Sequence, residues 1–199
     1  MLPHHWRNKS IIFGVACLAA AGTWSAFGQS GSSVGDLSPV VAGETTSSIS
    51  TPPGNVGPSG LPLPRFVSLK AEKVNVRRGP NSDYPVSWVF QRKGLPVEII
   101  AESENWRRIR DSEGAEGWIL QNMLSGKRTA MIAPWRPNEN IPLHAGPAKN
   151  GALIARIAAG VVAEIEECRR DWCEVSAGGF DGYIEQANLW GVYPGENLD

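Results

Sequence analysis

The feature that most constrains this 199-residue chain is that it repeats itself after residue 65. Gly79-Pro80 recurs as Gly146-Pro147, Gly94 as Gly160, and Glu98-Ile99 as Glu164-Ile165. Trp106 recurs as Trp172, and Gly117-Trp118-Ile119 as Gly182-Tyr183-Ile184. Gln121, Leu124 and Gly126 return as Gln186, Leu189 and Gly191. The offset drifts from 67 through 66 to 65, so one residue is lost in each of two loops while the elements between them keep their spacing. Two copies of about 62 residues make two small domains rather than a solenoid, whose units need about three repeats to bury a continuous core.

Within each copy the hydrophobic period is two. Val74 and Val76 alternate with polar neighbours, as do Val97, Ile99 and Ala101, and the pair Trp106 and Arg108 is offset by one from Arg107 and Ile109. Successive side chains of a strand leave opposite faces, so this pattern marks strands with one buried face. Turn residues interrupt the runs at Gly79-Pro80, Gly94, Glu104-Asn105 and Glu113-Gly114. Even the Ala-rich stretch 151–167 keeps no clear helical stripe. Five or six short strands per copy predict an all-β fold of two small, closed or nearly closed barrels in tandem. Six of the eight Trp lie beyond residue 64. Small cores need large side chains, so most of these rings are expected to be structural.

Residues 1–28 read as an export leader. Arg7 and Lys9 precede an uninterrupted run of apolar and small residues at 11–21. Ala26-Phe27-Gly28 supplies small residues where a signal peptidase reads, which places the cut before Gln29. Two alternatives stay open: an uncleaved anchor, since residues 10–27 are uncharged over a length at the lower limit of a membrane span, and a lipid-modified Cys17. Residues 29–64 then change character, with 23 of 36 being Gly, Ser, Thr or Pro and only Asp36 and Glu44 charged. Such a segment buries too little apolar surface to offset its ordering entropy, so a disordered linker is expected. The organisation is therefore a signal peptide at 1–28, a linker at 29–64, and domains at 65–127 and 128–199.

Loss of the leader would remove Cys17 and leave Cys168 and Cys173, an even number suited to an oxidising compartment. They flank four residues between two strand-like runs, and so are predicted to close a structural disulfide across a hairpin, worth about 2 kcal/mol. The spacing does not suit a redox-active CxxC pair, and no other Cys or nearby His completes a metal site. In the repeat alignment the two cysteines fall on Glu102 and Arg107. This predicts an exposed cross-strand ion pair in the first copy, contributing about 0.2–1 kcal/mol.

Charge separates the copies. Residues 65–128 hold 12 Lys+Arg and 8 Asp+Glu, net +4, whereas residues 129–199 hold 5 and 10, net -5. The whole chain is near neutral at -1, which argues against nucleic acid as a partner, since that needs a basic surface to displace counterions. The basic excess of the first copy, through Arg77, Arg78, Arg107, Arg108 and Arg110, suits an anionic partner. Nearby acids, Glu102, Glu104, Asp111 and Glu113, could instead neutralise it. In a third reading the opposite charges dock the two domains, and the short connection with its apolar Met131, Ile132 and Trp135 favours a fixed pair.

Val74-Asn75-Val76-Arg77-Arg78-Gly79-Pro80, then Trp106, then Gly117-Trp118-Ile119 closing at Leu124, resembles the bacterial SH3-like domain motif. The second copy looks like a diverged example, with Ile141-Pro142-Leu143-His144-Ala145-Gly146-Pro147 retaining the Gly-Pro and the apolar alternation. The arrangement of leader, tether and two such domains resembles exported tandem SH3-like proteins. The resemblance implies a binding module with an aromatic-lined groove for an extended peptide, and a place in the cell envelope beside peptidoglycan. Carried over, the groove tryptophan falls on Trp106 and Trp172 and the closing aromatic on Trp118 and Tyr183. Arg77 and Arg108 would form a cationic rim. These six are the candidate ligand-binding residues, each aromatic being open to a groove or a core role. The motif's further Pro and Tyr fall on Leu120 and Met123, or on Glu185 and Asn188, so polyproline recognition is not implied.

Catalysis has little to work with. A cysteine peptidase needs a Cys nucleophile with a His base, and a zinc amidase needs His-rich ligation. After Pro64 the sole His is His144, and both Cys are assigned to the hairpin. A carboxylate pair stays open on composition, but a barrel of about 60 residues offers little cleft to desolvate one. The expectation is a non-catalytic protein without cofactor or metal, periplasmic or secreted. Its expected partner is a peptidoglycan peptide or a periplasmic protein, with membrane contact only through an uncleaved leader.

Overall fold

Val74, Val76, Val97, Ile99, Ile109 and Ile119 are each at most 2% exposed. The period-two pattern therefore points to one core, and the strands that carry it wrap around that core. The computed structural model describes residues 55–199, so the leader and most of the linker lie outside the described residues.

Strands β1 (Asn55–Val56) and β2 (Pro62–Leu63) pair antiparallel as a short hairpin. The first copy follows with β3 (Arg65–Leu69), β4 (Val74–Arg77), β5 (Val86–Phe90), β6 (Pro96–Ser103), β7 (Trp106–Arg110), β8 (Glu116–Leu120) and β9 (Leu124–Ser125). Its sheet order is β5-β4-β8-β7-β6-β3-β9. The second copy comprises β10 (Thr129–Ile132), β11 (Asn140–His144), β12 (Leu153–Ala158), β13 (Val162–Arg169), β14 (Trp172–Ala177), β15 (Phe180–Glu185) and β16 (Leu189–Trp190). Its order, β12-β11-β15-β14-β13-β10-β16, is the same seven positions along. The 3-10 turns at Gln121–Met123 and Gln186–Asn188 precede the last strand of each sheet.

The repeat extends to the irregularities. Register shifts fall between Val76 and Arg77 and between Leu143 and His144, and again between Ile99 and Ala101 and between Ile165 and Glu167. Bulges of this kind bend a strand and re-aim one side chain. Immediately after the first pair of shifts, single bridges join Arg77 to Trp118 and His144 to Tyr183, bringing β4 against β8 and β11 against β15. The Gly of the Gly-aromatic-Ile motif sits at this seam. A Cβ on Gly182 would lie 2.6 Å from the His144 carbonyl oxygen, and one on Gly117 would lie 3.1 Å from that of Arg77. Only glycine lets the two backbones approach so closely.

The predicted disulfide joins Cys168 to Cys173, which face each other across β13 and β14. Glu102 and Arg107 hold the matching position across β6 and β7. They form the expected ion pair, but it is not exposed: the side chains retain only 1% and 9% of their accessible surface. The cause is the end of the stretch read as linker. Leu63 packs against the first core, and Ser59 donates its backbone N–H (2.9 Å) and hydroxyl (2.8 Å) to Glu102. Arg65 adds a second guanidinium at 2.6 Å. Residues 55–64 thus pair and cover a buried carboxylate, and the linker character does not extend unbroken to Pro64.

The two copies pack together through apolar and aromatic groups as well as through opposite charges, Arg128, counted above with the first copy, pairing with Glu196 at 2.8 Å. Met131 of β10 is buried in the first copy's core cluster. Phe66 of β3 meets Trp190 edge-on at 5.2 Å and Tyr193 at 4.7 Å. The Tyr193 hydroxyl donates to Glu98 Oε1 (2.9 Å), and Thr129 Oγ1 donates to the Gly94 carbonyl (2.8 Å). The ion pair between Lys127 and Glu164 (2.7 Å) is exposed on both sides.

Candidate functional site

Along β14 the inward residues are Cys173, Val175 and Ala177, all buried, so Trp172, Glu174 and Ser176 leave the outer face. β15 runs antiparallel beside it, with Glu185 opposite Trp172 and Tyr183 opposite Glu174. The Tyr183 hydroxyl donates to Glu174 Oε2 at 3.0 Å, and that bond to the carboxylate raises the tyrosine's pKa above its usual 10. The seam brings His144 against the same face, its ring 5.7 Å from Trp172 and nearly perpendicular at 87°.

A pocket of about 230 Å³ opens here, lined by Pro142, His144, Lys149, Trp172, Glu185 and Asn188. The loop between β11 and β12 forms one wall. It is closed by Ala145 N–H to the Ala152 carbonyl (2.9 Å) and Gly151 N–H to the Ala148 carbonyl (3.0 Å). His144 Nδ1 lies 3.2 Å from the Gly151 carbonyl, which ties the ring to the loop. From the loop's tip Lys149 reaches back, its Nζ 3.1 Å from Glu185 Oε1.

The matching place in the first copy is filled differently. Trp106, Arg108 and Trp118 share the outer face of β7 and β8, and Arg77 bridges to Trp118, so the four candidates of this copy come together. Trp106, however, is only 8% exposed, which leaves little ring for a ligand to meet. The cations are engaged as well. Arg108 pairs with Glu116 at 2.8 Å, and Arg110 with Glu116 at 3.1 Å and Glu98 at 3.2 Å. Arg77 donates to the Tyr84 carbonyl at 2.6 Å. Three arginines of this copy's basic cluster are thus paired with acids of its own strands, Arg107 with Glu102 and Arg108 and Arg110 with Glu116 and Glu98, rather than with Glu104, Asp111 and Glu113.

The SH3-like motif points to Trp172 and Tyr183 but carries no sign of His144, Lys149 or Glu185 as binding residues. The repeat alignment held the signal. His144 aligns with Arg77, and Glu185 and Asn188 occupy the positions where the motif's own groove Pro and Tyr are missing. Both residues line the pocket. Among the described residues no group of three His, Cys, Asp or Glu is placed to hold a metal ion, and no helix is long and apolar enough to cross a membrane.

A family model described as "Bacterial SH3 domain" matches residues 70–126 and 138–191, one match per copy. The chain is 20% identical over 123 residues to "Putative N-acetylmuramoyl-L-alanine amidase YrvJ" of Bacillus subtilis (strain 168). That match covers 58% of this chain and 24% of the relative, so the chain spans about a quarter of the protein it matches. Among solved structures, NlpC2 from Trichomonas vaginalis aligns at 13% identity and a TM-score of 0.30, covering 64% of this chain and 48% of that one. NlpC1 from the same organism aligns at 14% and 0.30, covering 63% and 45%.

Proposed function

The chain belongs to the bacterial SH3 domain family, both copies included, and from that premise we propose that it is a non-catalytic, extracytoplasmic binding module of the cell wall. Its ligand in this reading is a peptidoglycan peptide, seated in the second copy's pocket. The observation that carries the proposal is the half-buried Trp172 ring, set edge to face with His144 in an open pocket, while its repeat partner Trp106 is covered. A rigid aromatic pair gives contact area at small entropic cost, and polar groups at the rim set orientation. The amidase-named relative supports a wall setting, and the disulfide supports an oxidising compartment. Residue types support a non-catalytic role: beyond Pro64 the single His packs on a Trp and both Cys are oxidised.

Retention on purified sacculi tests the proposal. Wild-type protein is expected to sediment with sacculi, and Trp172→Ala to stay in the supernatant while keeping the wild-type circular dichroism. No retention of the wild type would overturn it.

A second reading, a module for a periplasmic protein partner, is favoured by the edge strand β12, where Leu153 is 51% and Ile154 43% exposed. An unpaired edge with apolar side chains can accept an added strand. A crosslinked protein that co-purifies and is lost on Ile154→Lys would support it.

A further inference from the structure

Glu185 is the acid of the pocket and Lys149 its base, and the two are held very differently. The Glu185 side chain is 27% exposed and fixed on a strand, whereas the Lys149 side chain is 85% exposed and carried by a loop. The ammonium of Lys149 thus sits against a carboxylate, in a pocket walled by the Trp172 indole, within a domain of net charge -5.

The carboxylate and the domain's charge both favour a cation. A carboxylate forms a charge-assisted hydrogen bond with it, and the domain's field concentrates it. They disfavour an anion for the same reasons. The geometry points to an ammonium-binding pocket, in which Lys149 is a tethered stand-in for the primary amine of the true ligand. The inference rests on the wall-peptide reading and names the chemical group that would be recognised: the side-chain amine of a diamino acid in the peptide. Exchange is cheap. Lys149 leaves as a hydrated ammonium from an exposed pair, and the incoming amine restores the same neutrality to Glu185.

The probe is Nα-acetyl-lysine methylamide, with its Nε-acetylated derivative as control, titrated into the purified protein and followed by the Trp172 indole N–H resonance. In Lys149→Ala, where no tethered amine competes, the free amine is expected to bind and the acetylated one to bind at least about tenfold more weakly, because a hydrogen bond to a charged group is lost. Glu185→Gln should weaken amine binding by about the same factor. Lys149→Ala, at a side chain that contributes little packing, should tighten binding by roughly 1.5- to 5-fold, the equivalent of removing an exposed ion pair that competes. Equal binding of the two probes would overturn the inference. So would weaker binding by Lys149→Ala, because Lys149 would then be a contact for a ligand carboxylate. Trp172-dependent retention on sacculi without amine preference would sink this inference and leave wall binding standing; amine binding without retention would do the reverse.

Discussion

Arg107 Nε lies 3.1 Å from Glu102 Oε1 across β6 and β7, at the register position that the Cys168–Cys173 disulfide occupies across β13 and β14. One cross-strand link is ionic and buried, the other covalent. Burial alone would raise the Glu102 carboxyl, but the hydrogen bond from Arg65, the backbone and hydroxyl donors of Ser59, and the charge of Arg65 outweigh it and hold the pKa at about 2. A pKa depressed in the folded state adds stability above the ordinary carboxylate value of 4.5, and this is lost as pH falls toward about 2. Acid unfolding followed by circular dichroism should therefore show a loss between these values that Glu102→Gln lacks. At neutral pH that variant should cost about 3–5 kcal/mol, since Arg65 and Arg107 keep their charges without the partner. It should also free residues 55–63 to amide exchange.

Reduction should act on the other copy. The disulfide closes a loop so short that the chain-entropy model credits it with only about 2 kcal/mol. Amide exchange in β13 and β14 should accelerate on adding reductant, while β6 and β7, linked by ions, stay protected. Equal acceleration in both hairpins would contradict the assignment of the two links to the two copies.

The paired tryptophans should respond oppositely to the same substitution. Trp106 is 8% exposed, so Trp106→Ala leaves a cavity and should lower stability by about 3–5 kcal/mol. Trp172 is half-buried at the mouth of a pocket. Trp172→Ala should cost less and remove sacculus binding instead. Thermal unfolding of each variant, beside a sacculus pull-down, separates the effects. A folded Trp106→Ala that no longer binds would return the groove to the first copy.

The repeat made most of the fold legible, because period-two alternation and recurring Gly-Pro and Gly-aromatic-Ile landmarks each report one backbone event. Seven strands appear per copy rather than five or six because β9 and β16 are two residues long, too short for any period to show. The β1–β2 hairpin was hidden for another reason. Composition describes what a segment can bury by itself, whereas Ser59 is fixed by Glu102, 43 residues away. The site was half legible. Alignment placed Trp106 and Trp172 on the same outer face, but the loop that carries Lys149 and closes on His144 decides the surroundings of Trp172, and loop closure leaves no periodic trace.

Docking of the two copies should be visible in the tyrosines. Tyr193 donates to Glu98 across the contact and its ring lies on Phe66. Burial, then the bond to Glu98 and the nearby charges of Glu98 and Glu196, push its hydroxyl far above the ordinary value of 10. A raised pKa in the folded state means that the stabilisation is fully present below the unfolded value and declines as pH rises above it. Spectrophotometric titration of the folded protein should then show Tyr193 ionising later than a free tyrosine, and Tyr193→Phe should remove that late transition. The same variant should cost roughly 1 kcal/mol, the net worth of one hydrogen bond, while the rest of the ring keeps its place on Phe66. If the copies separate in solution, Tyr193 is released to water. Its titration would then fall at the ordinary value, and Tyr193→Phe would leave the melting temperature unchanged.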